Sequence, residues 1–250
     1  MFYKESSVMI GIVVTYHGEI DLLPQALASI TGQTVPPQQV VIVNDAHPSC
    51  PLDLIKNYSF DGRDFDYIRN AKNLGLAGAR NVGVAYLNTP YYIPLDADDM
   101  LTPDCIETYT KAIASRRAHF APNHQNQHYY YSDLYILQNK CSMWKSKPFD
   151  ITALLRYNYI SACSCVAKST WEEVGGYDSD FSKLGGWEDW AFWLSAFRES
   201  ILGIHIPKPL FYRRIRLNSM IKNISKKQKI ALKELLQEKF SDIYDTMEYE

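Results

Sequence analysis

Tyr91-Tyr92-Ile93-Pro94-Leu95-Asp96-Ala97-Asp98-Asp99 is the stretch whose reading decides the fold. An apolar run of strand-like residues drives into three carboxylates, with one small residue between the first two. A short run of this kind suits a strand buried on both faces. In an open parallel sheet, ligands gather beyond the carboxyl ends of the strands. Oxygen-only groups crowded there suit a hard divalent cation, Mg2+ or Mn2+, which would also bridge to a substrate phosphate. An acidic turn leading into the next helix uses the same residues, and Thr102-Pro103-Asp104 reads as a helix start. What else converges on the rim decides between the two.

Working back to the N-terminus, residues 8–16 read as a first buried strand that stops at Thr15, Tyr16 and His17. Asp21 is placed to cap a helix running to about residue 33, with Leu23, Ala26, Leu27 and Ile30 on one face. Residues 40–43 form a second short strand ending in Asn44 and Asp45, which completes a right-handed parallel crossover. A short helix and loop over 48–63 and a third strand over 66–69 follow. Asn73 and Gly75 then open a helix to about residue 87, whose glycines permit close backbone approach. Its first turn offers N–H groups to an anion, and tight packing of helix on sheet explains the same glycines. Alternating strands and helices make this a doubly wound α/β half.

Beyond residue 116 the pattern loosens. Residues 119–131 are polar, and their histidines (His119, His124, His128) lack ordered spacing, which reads as a solvated loop or an acceptor contact. Strands are expected over 129–137 and 163–168 as antiparallel additions, and a short helix over 149–157. Two glycine turns, 174–178 and 185–187, bracket a flexible segment. Glu188 and Asp189 then start a helix over 190–197, and 207–214 is a strand with a basic end. The tail from 222 to 239 carries six Lys against two Glu with loosely helical apolar spacing. Such a helix packs on its own domain or lies on a membrane surface.

Composition excludes several classes. The 250 residues suffice for one large α/β domain with a full core. An apolar fraction of 46% and a charged fraction of 22% are those of an ordinary globular chain, and a net charge of -2 gives no case for nucleic acid. No run approaches a membrane span, and residues 1–7 lack a signal peptide's apolar core, so a cytoplasmic setting is expected. The five cysteines are odd in number and irregularly spaced, which reads as reduced thiols.

Three strand ends thus supply groups suited to a nucleotide along one rim. Tyr16 can stack on a base and Asp45 can accept from its N–H. Asp96 can hold a ribose hydroxyl or help the metal, with Asp98 binding the metal directly. A cation there would neutralise a leaving diphosphate. A carboxylate across the sugar must then take the proton of the incoming hydroxyl. Asp189, beside Glu188, is the candidate, although any acidic residue also suits a helix N-terminus. Trp187 gives an apolar surface to face a sugar and desolvate the base.

The chain resembles the family 2 glycosyltransferases of GT-A fold, from about residue 8 to 219. The matching pieces are Val13-Val14-Thr15-Tyr16, Val41-Ile42-Val43-Asn44-Asp45, Asn73-x-Gly75-x-x-x-Ala79-Arg80-Asn81, Leu95-Asp96-Ala97-Asp98-Asp99, Gly175-Gly176-Tyr177-Asp178 and Trp187-Glu188-Asp189. Each is short, and together they keep the family's order and spacing. The resemblance implies one Rossmann-like nucleotide-diphospho-sugar transferase domain over 1–220, with a nucleotide-binding half (1–116) and an acceptor half (117–220). A mostly parallel central sheet carries helices on both faces and a small antiparallel addition, and 221–250 is a helical tail.

The implied activity is metal-dependent, inverting transfer from a nucleotide sugar, usually UDP-linked, in polysaccharide or glycoconjugate synthesis. The acceptor would be a saccharide or a lipid-linked saccharide. The implied roles are Asp45 at the base, Asp96 at the ribose, Asp98 at Mn2+ or Mg2+, Asp189 as general base and Arg80 near the nucleotide. Two departures stand out. His17 occupies a position where relatives often have Asn, and Arg214-Ile215-Arg216 follows Tyr212-Arg213 where many relatives place a His. Arg214 or Arg216 is then expected to supply that positive charge. The alternatives are a sugar-nucleotide nucleotidyltransferase and a non-catalytic nucleotide- or sugar-binding module. The first needs a Gly/Lys-rich loop after the first strand, but 16–22 holds Gly18 and no Lys or Arg. Peripheral contact with the inner membrane face through the basic tail completes the expectation.

Overall fold

Along β1 (Ile10–Tyr16) the side chains alternate between two cores, as a pleated strand requires. Ile10, Ile12, Val14 and Tyr16 pack with Leu23, Leu27 and Ile30 on one face of the sheet. Val13 points to the other, against Ala77 and Val84. Residues Val40 and Ile42 of β2 (Gln39–Asn44) repeat the first choice, and Val41 and Val43 repeat the second. Both faces being covered is why these strands read as unbroken apolar runs.

The computed structural model describes residues 8–18, 20–119, 128–216 and 224–247. After β1 and β2 come β3 (Asp66–Arg69), β4 (Tyr91–Asp96), β5 (Met100–Leu101), β6 (Tyr129–Leu137), β7 (Cys141–Trp144), β8 (Cys165–Ala167) and β9 (Gly203–Arg214). The helices are α1 (Leu23–Thr31), α2 (Leu52–Ile55), α3 (Gly75–Tyr86), α4 (Cys105–His119), α5 (Ile151–Leu154), α6 (Lys168–Glu173), α7 (Ser179–Leu184), α8 (Glu188–Arg198), α9 (Lys226–Lys239) and α10 (Ser241–Met247). One sheet orders its strands β3-β2-β1-β4-β8-β6-β9-β5, with β7 paired to β6. The first four strands are parallel to one another. Strand β8 joins β4 and β6 antiparallel, and β6 and β9 then run parallel.

Several expectations need correction. Asp21 does not cap α1: Leu22 is the N-cap, without a side-chain bond, and Pro24 supplies the start signal instead. The segment between the glycine turns is the helix α7, capped by Asp178, whose side chain accepts from the Asp180 amide. Strand β9 begins four residues earlier than expected, and its prolines sit where the pairing with β6 shifts register. Most of the polar loop expected over 119–131 falls on 120–127, and the basic tail expected over 222–239 begins on 222–223, both outside the described residues. Helix α9 buries Leu232 and Leu236, and with Phe240 and Ile243 they join the same core as α8. Each such burial contributes about 1.5–3 kcal/mol.

Candidate active site

Register places the first members of the site. Thr15 of β1 stands opposite Asp96 of β4, and Tyr16 opposite Asn44 of β2. Thr15 Oγ1 donates to Asp96 Oδ1 at 3.1 Å, and the Asp45 amide donates to the Tyr16 carbonyl at 2.9 Å. The later half reaches the same rim because β5 pairs with the end of β9, Met100 against Tyr212. That pairing carries Arg213, Arg214 and Arg216 to the turn at Asp96–Asp99. One cleft of about 1470 Å³ results, lined by Thr15, Tyr16, Asp45, Asn73, Gly75, Arg80, Asp96, Asp98, Trp187, Glu188 and Asp189. All eleven residues singled out in the sequence are brought together.

Their environments differ. Asp45 is buried and its Oδ1 accepts from Asn70 Nδ2 at 2.8 Å and from the Leu74 amide at 2.9 Å, which fixes the carboxylate and leaves Oδ2 for a ligand. Tyr16 is only 1% exposed, and its hydroxyl lies 3.2 Å from His47 Nδ1. Face-on stacking of Tyr16 against a base is therefore closed in this conformation. The exposed ring at the end of β1 is His17, held by Nδ1 donating to the Asp45 carbonyl at 2.8 Å and by Asn73 Nδ2 donating to its Nε2 at 3.2 Å. Gly75 takes a left-handed φ of +73° at the start of α3. The amides of Leu74, Gly75 and Ala77 already donate to Asp45, Asn73 and Ser182. The α3 N-terminus thus offers fewer amides to an anion than its sequence promised. Gly83 serves packing: a Cβ there would lie 2.2 Å from Val13 Cγ1.

Arg80 crosses the floor of the cleft. Its guanidinium, 1% exposed, donates to Asp96 Oδ1 at 2.9 Å and to Glu188 Oε1 at 2.7 Å. Burial by itself lowers the Arg80 pKa, but the carboxylates of Asp96 and Glu188 outweigh it and hold the group above its ordinary value. Glu188 is 4% exposed, and burial pushes its pKa up to about 7 against the pull of Arg80. It therefore stands behind Arg80 as a partner within the protein. Asp189 is more open. Its Oδ2 accepts from Asn158 Nδ2 at 3.1 Å and its Oδ1 from the Trp190 amide at 2.8 Å. Burial raises its pKa, opposed by Arg80, the Trp190 amide, Arg213 and Asn158. Trp187 holds a left-handed φ of 72° as the N-cap of α8, with its ring centroid 4.9 Å from that of Trp190. A bulky residue in that region stores strain of about 1–3 kcal/mol, the kind found where geometry serves a site.

Asp96, Asp98 and Asp99 present carboxylate oxygens that all lie within 4.8 Å of one another. Three hard oxygen donors at that spacing fit Mg2+ or Mn2+. Asp99, the third carboxylate of the run read in the sequence, was given no role of its own there. It is 8% exposed, accepts from the Arg214 amide at 2.7 Å, and burial followed by its acidic neighbours raises its pKa well above its ordinary value. Arg214 Nε also donates to the Asp98 carbonyl at 3.0 Å, while Arg216 Nε lies 2.7 Å from Asp98 Oδ2. Sequence reasoning also passed over Asn158, which sits 31 positions before Asp189 in no motif.

Fold and cleft are those of a GT-A glycosyltransferase domain. The profile of Glycosyl transferase family 2 matches residues 11–167, and the chain belongs to that family. It is similar to the glycosyltransferase GlyA of Streptococcus pneumoniae, at 25% identity over 93% of this chain and 34% of GlyA. It is also similar to the uncharacterized glycosyltransferase YwdF of Bacillus subtilis, at 27% identity over 76% of this chain and 68% of YwdF. The chain thus spans about a third of GlyA's length. Among solved structures, S. aureus TarS 1–349 in complex with UDP matches with a TM-score of 0.66 at 13% identity, over 93% of this chain and 70% of that one. TarS 1–349 in complex with UDP-GlcNAc gives 0.67 at 14%, over 87% and 61%. At that identity the likeness concerns the fold.

Proposed function

We propose that the chain transfers a sugar, with inversion, from a UDP-type nucleotide sugar to a saccharide acceptor in the synthesis of a cell-surface polysaccharide or glycoconjugate. The observation that carries this is the convergence of Asp45, Asp96, Asp98 and Asp189 on one cleft. The UDP and UDP-GlcNAc bound in the TarS structures support a nucleotide-sugar donor. Asp45 accepts from the base, Asp96 from a ribose hydroxyl, and Asn73 and Gly75 line the donor side. Asp98, with Asp96 and Asp99, would hold Mn2+ or Mg2+, which when bound neutralises charge on the leaving diphosphate. Arg213, Arg214 and Arg216 add positive charge on the same side.

Asp189 takes the proton from the acceptor hydroxyl as its oxygen bonds the anomeric carbon. The bond from that carbon to the diphosphate oxygen breaks, and the electron pair leaves with UDP. Arg80 and Glu188 hold the floor beneath both partners. Residues 1–116 would serve the donor and 117–220 the acceptor. No helix among the described residues is long and apolar enough to cross a membrane. The exposed Lys226, Lys227 and Lys229 of α9 suit an anionic membrane surface on the cytoplasmic side. The test is UDP release across a panel of nucleotide sugars, with and without Mn2+. Release from at least one donor, increased by an acceptor, is expected. UDP binding without hydrolysis or transfer from any donor would leave a binding module instead.

A further inference from the structure

The cleft does not end at Asp189. It continues along the segment after α5 and the C-terminal helices, where Arg156, Tyr157 and Asn158 line it together with Lys233, Gln237 and Tyr244. This arm is held in place. Asn158 donates to Asp189, Trp190 Nε1 donates to the Leu154 carbonyl at 2.7 Å, and the Tyr244 hydroxyl donates to the Leu155 carbonyl at 2.8 Å. One side chain of the arm therefore touches the proposed base directly.

Its charge is one-sided. None of the residues that 155–163 and 233–244 contribute to the cleft is acidic. Arg156 and Lys233 are exposed, and neither is ion-paired with a carboxylate among the described residues. Tyr157 is 51% exposed, an aromatic face open to a sugar ring. A third cation, Lys147, lies behind it with Nζ 5.8 Å from the Tyr157 ring centroid, paired to Asp150. The donor side balances its arginines with the carboxylates of Asp45, Asp96, Asp98 and Asp99, whereas this arm carries no such balance.

We infer that the arm is an acceptor subsite for an anionic saccharide, with Arg156 and Lys233 gripping a phosphate or carboxylate and Tyr157 packing on the sugar whose hydroxyl meets Asp189. The inference rests on the transferase reading. Guanidinium and ammonium groups both suit this task, Arg by a planar fork and Lys as a point charge.

The test uses the full chain loaded with UDP and three probes of matched length: a phosphodiester-linked polyol oligomer, a disaccharide bearing one uronic acid, and a neutral disaccharide. Calorimetry should show at least one anionic probe binding about tenfold more tightly than the neutral one. That preference should fade as salt rises from about 0.05 to about 0.5 M, and whichever anion binds better identifies its source. Arg156→Gln and Lys233→Gln should each weaken the anionic probe about tenfold and leave the neutral probe and UDP unchanged. Both residues are exposed, so the fold should tolerate either change. Equal affinity for charged and neutral probes, no binding of either anionic probe at millimolar concentration, or an unaltered anionic affinity in the double variant would overturn the assignment. With UDP binding intact, those results sink the acceptor inference alone. Failure of the unaltered chain to bind UDP sinks the transferase reading and this inference with it.

Discussion

Asp189 is a carboxylate whose two oxygens are aimed by different neighbours, one by the Trp190 amide and one by Asn158. A base that acts only on the acceptor leaves donor binding alone. Asp189→Asn should therefore abolish transfer, by a factor of at least about 100, with UDP affinity near normal. A large loss of UDP affinity would contradict the assignment. The pH profile offers a second test. Burial raises the Asp189 pKa, so the acid limb of activity should lie above the ordinary aspartate range. The base works deprotonated, hence activity is lost as pH falls through that pKa. Asn158 stabilises the charged form, so Asn158→Ala should move the limb to still higher pH. An unmoved or lowered limb counts against Asp189 as the base. At the acidic turn, Arg216 lies on the Asp98 oxygen that a bound cation would need. Arg216→Gln should tighten Mn2+ binding about tenfold while weakening UDP, and Asp98→Ala should lose metal-dependent UDP binding altogether. Titration with Mn2+ alone and then with UDP separates the two effects.

At the scale of elements, Gly83 decides how closely α3 lies on the sheet. A methyl group there would meet Val13 Cγ1 at 2.2 Å and Val43 Cγ2 at 3.1 Å, both core side chains that cannot swing away. Gly83→Ala should cost about 1–3 kcal/mol through overpacking, despite the gain in helix propensity. Urea unfolding that shows no loss would mean that helix and sheet can separate freely. The elements that were legible in the sequence are those with one strong period. The strands β1, β2 and β4 are unbroken apolar runs because both faces are covered, and their polar ends mark the rim. Elements shaped by long-range pairing were not legible. The two-residue β5 exists because β9 hydrogen-bonds to it, and Pro207 and Pro209 read as the start of a strand that begins at Gly203. Helix α7 is too short to show periodicity between two glycine turns. The burial of Tyr16 follows from His47 folding against it, a contact 31 positions away that no local pattern encodes.

For the molecule as a whole, the Arg80–Glu188 pair joins α3, in the first half of the chain, to the helix that carries the proposed base. Both groups are almost fully buried, and Asp96 is the only other carboxylate within hydrogen-bonding reach of Arg80 among the described residues. Removing one member of a buried pair leaves an uncompensated charge and costs about 3–5 kcal/mol, whereas replacing both with apolar groups is often close to neutral. Arg80→Met should thus destabilise by about that amount, and Arg80→Met with Glu188→Leu should recover much of it. The pH dependence gives an independent check. With its pKa pushed up to about 7, Glu188 keeps its proton in the folded chain at pH values where the unfolded chain has lost it. Its contribution to stability is therefore fully present below the ordinary 4.5 and is lost as pH rises through about 7. Without Arg80 the charged form loses its main support, so the deficit of Arg80→Met should be small near pH 5 and grow towards pH 8. Unfolding curves at the two pH values decide the point. A deficit independent of pH, or a double variant no more stable than the single one, would show that Arg80 supports the fold through Asp96 and that the two halves are joined elsewhere.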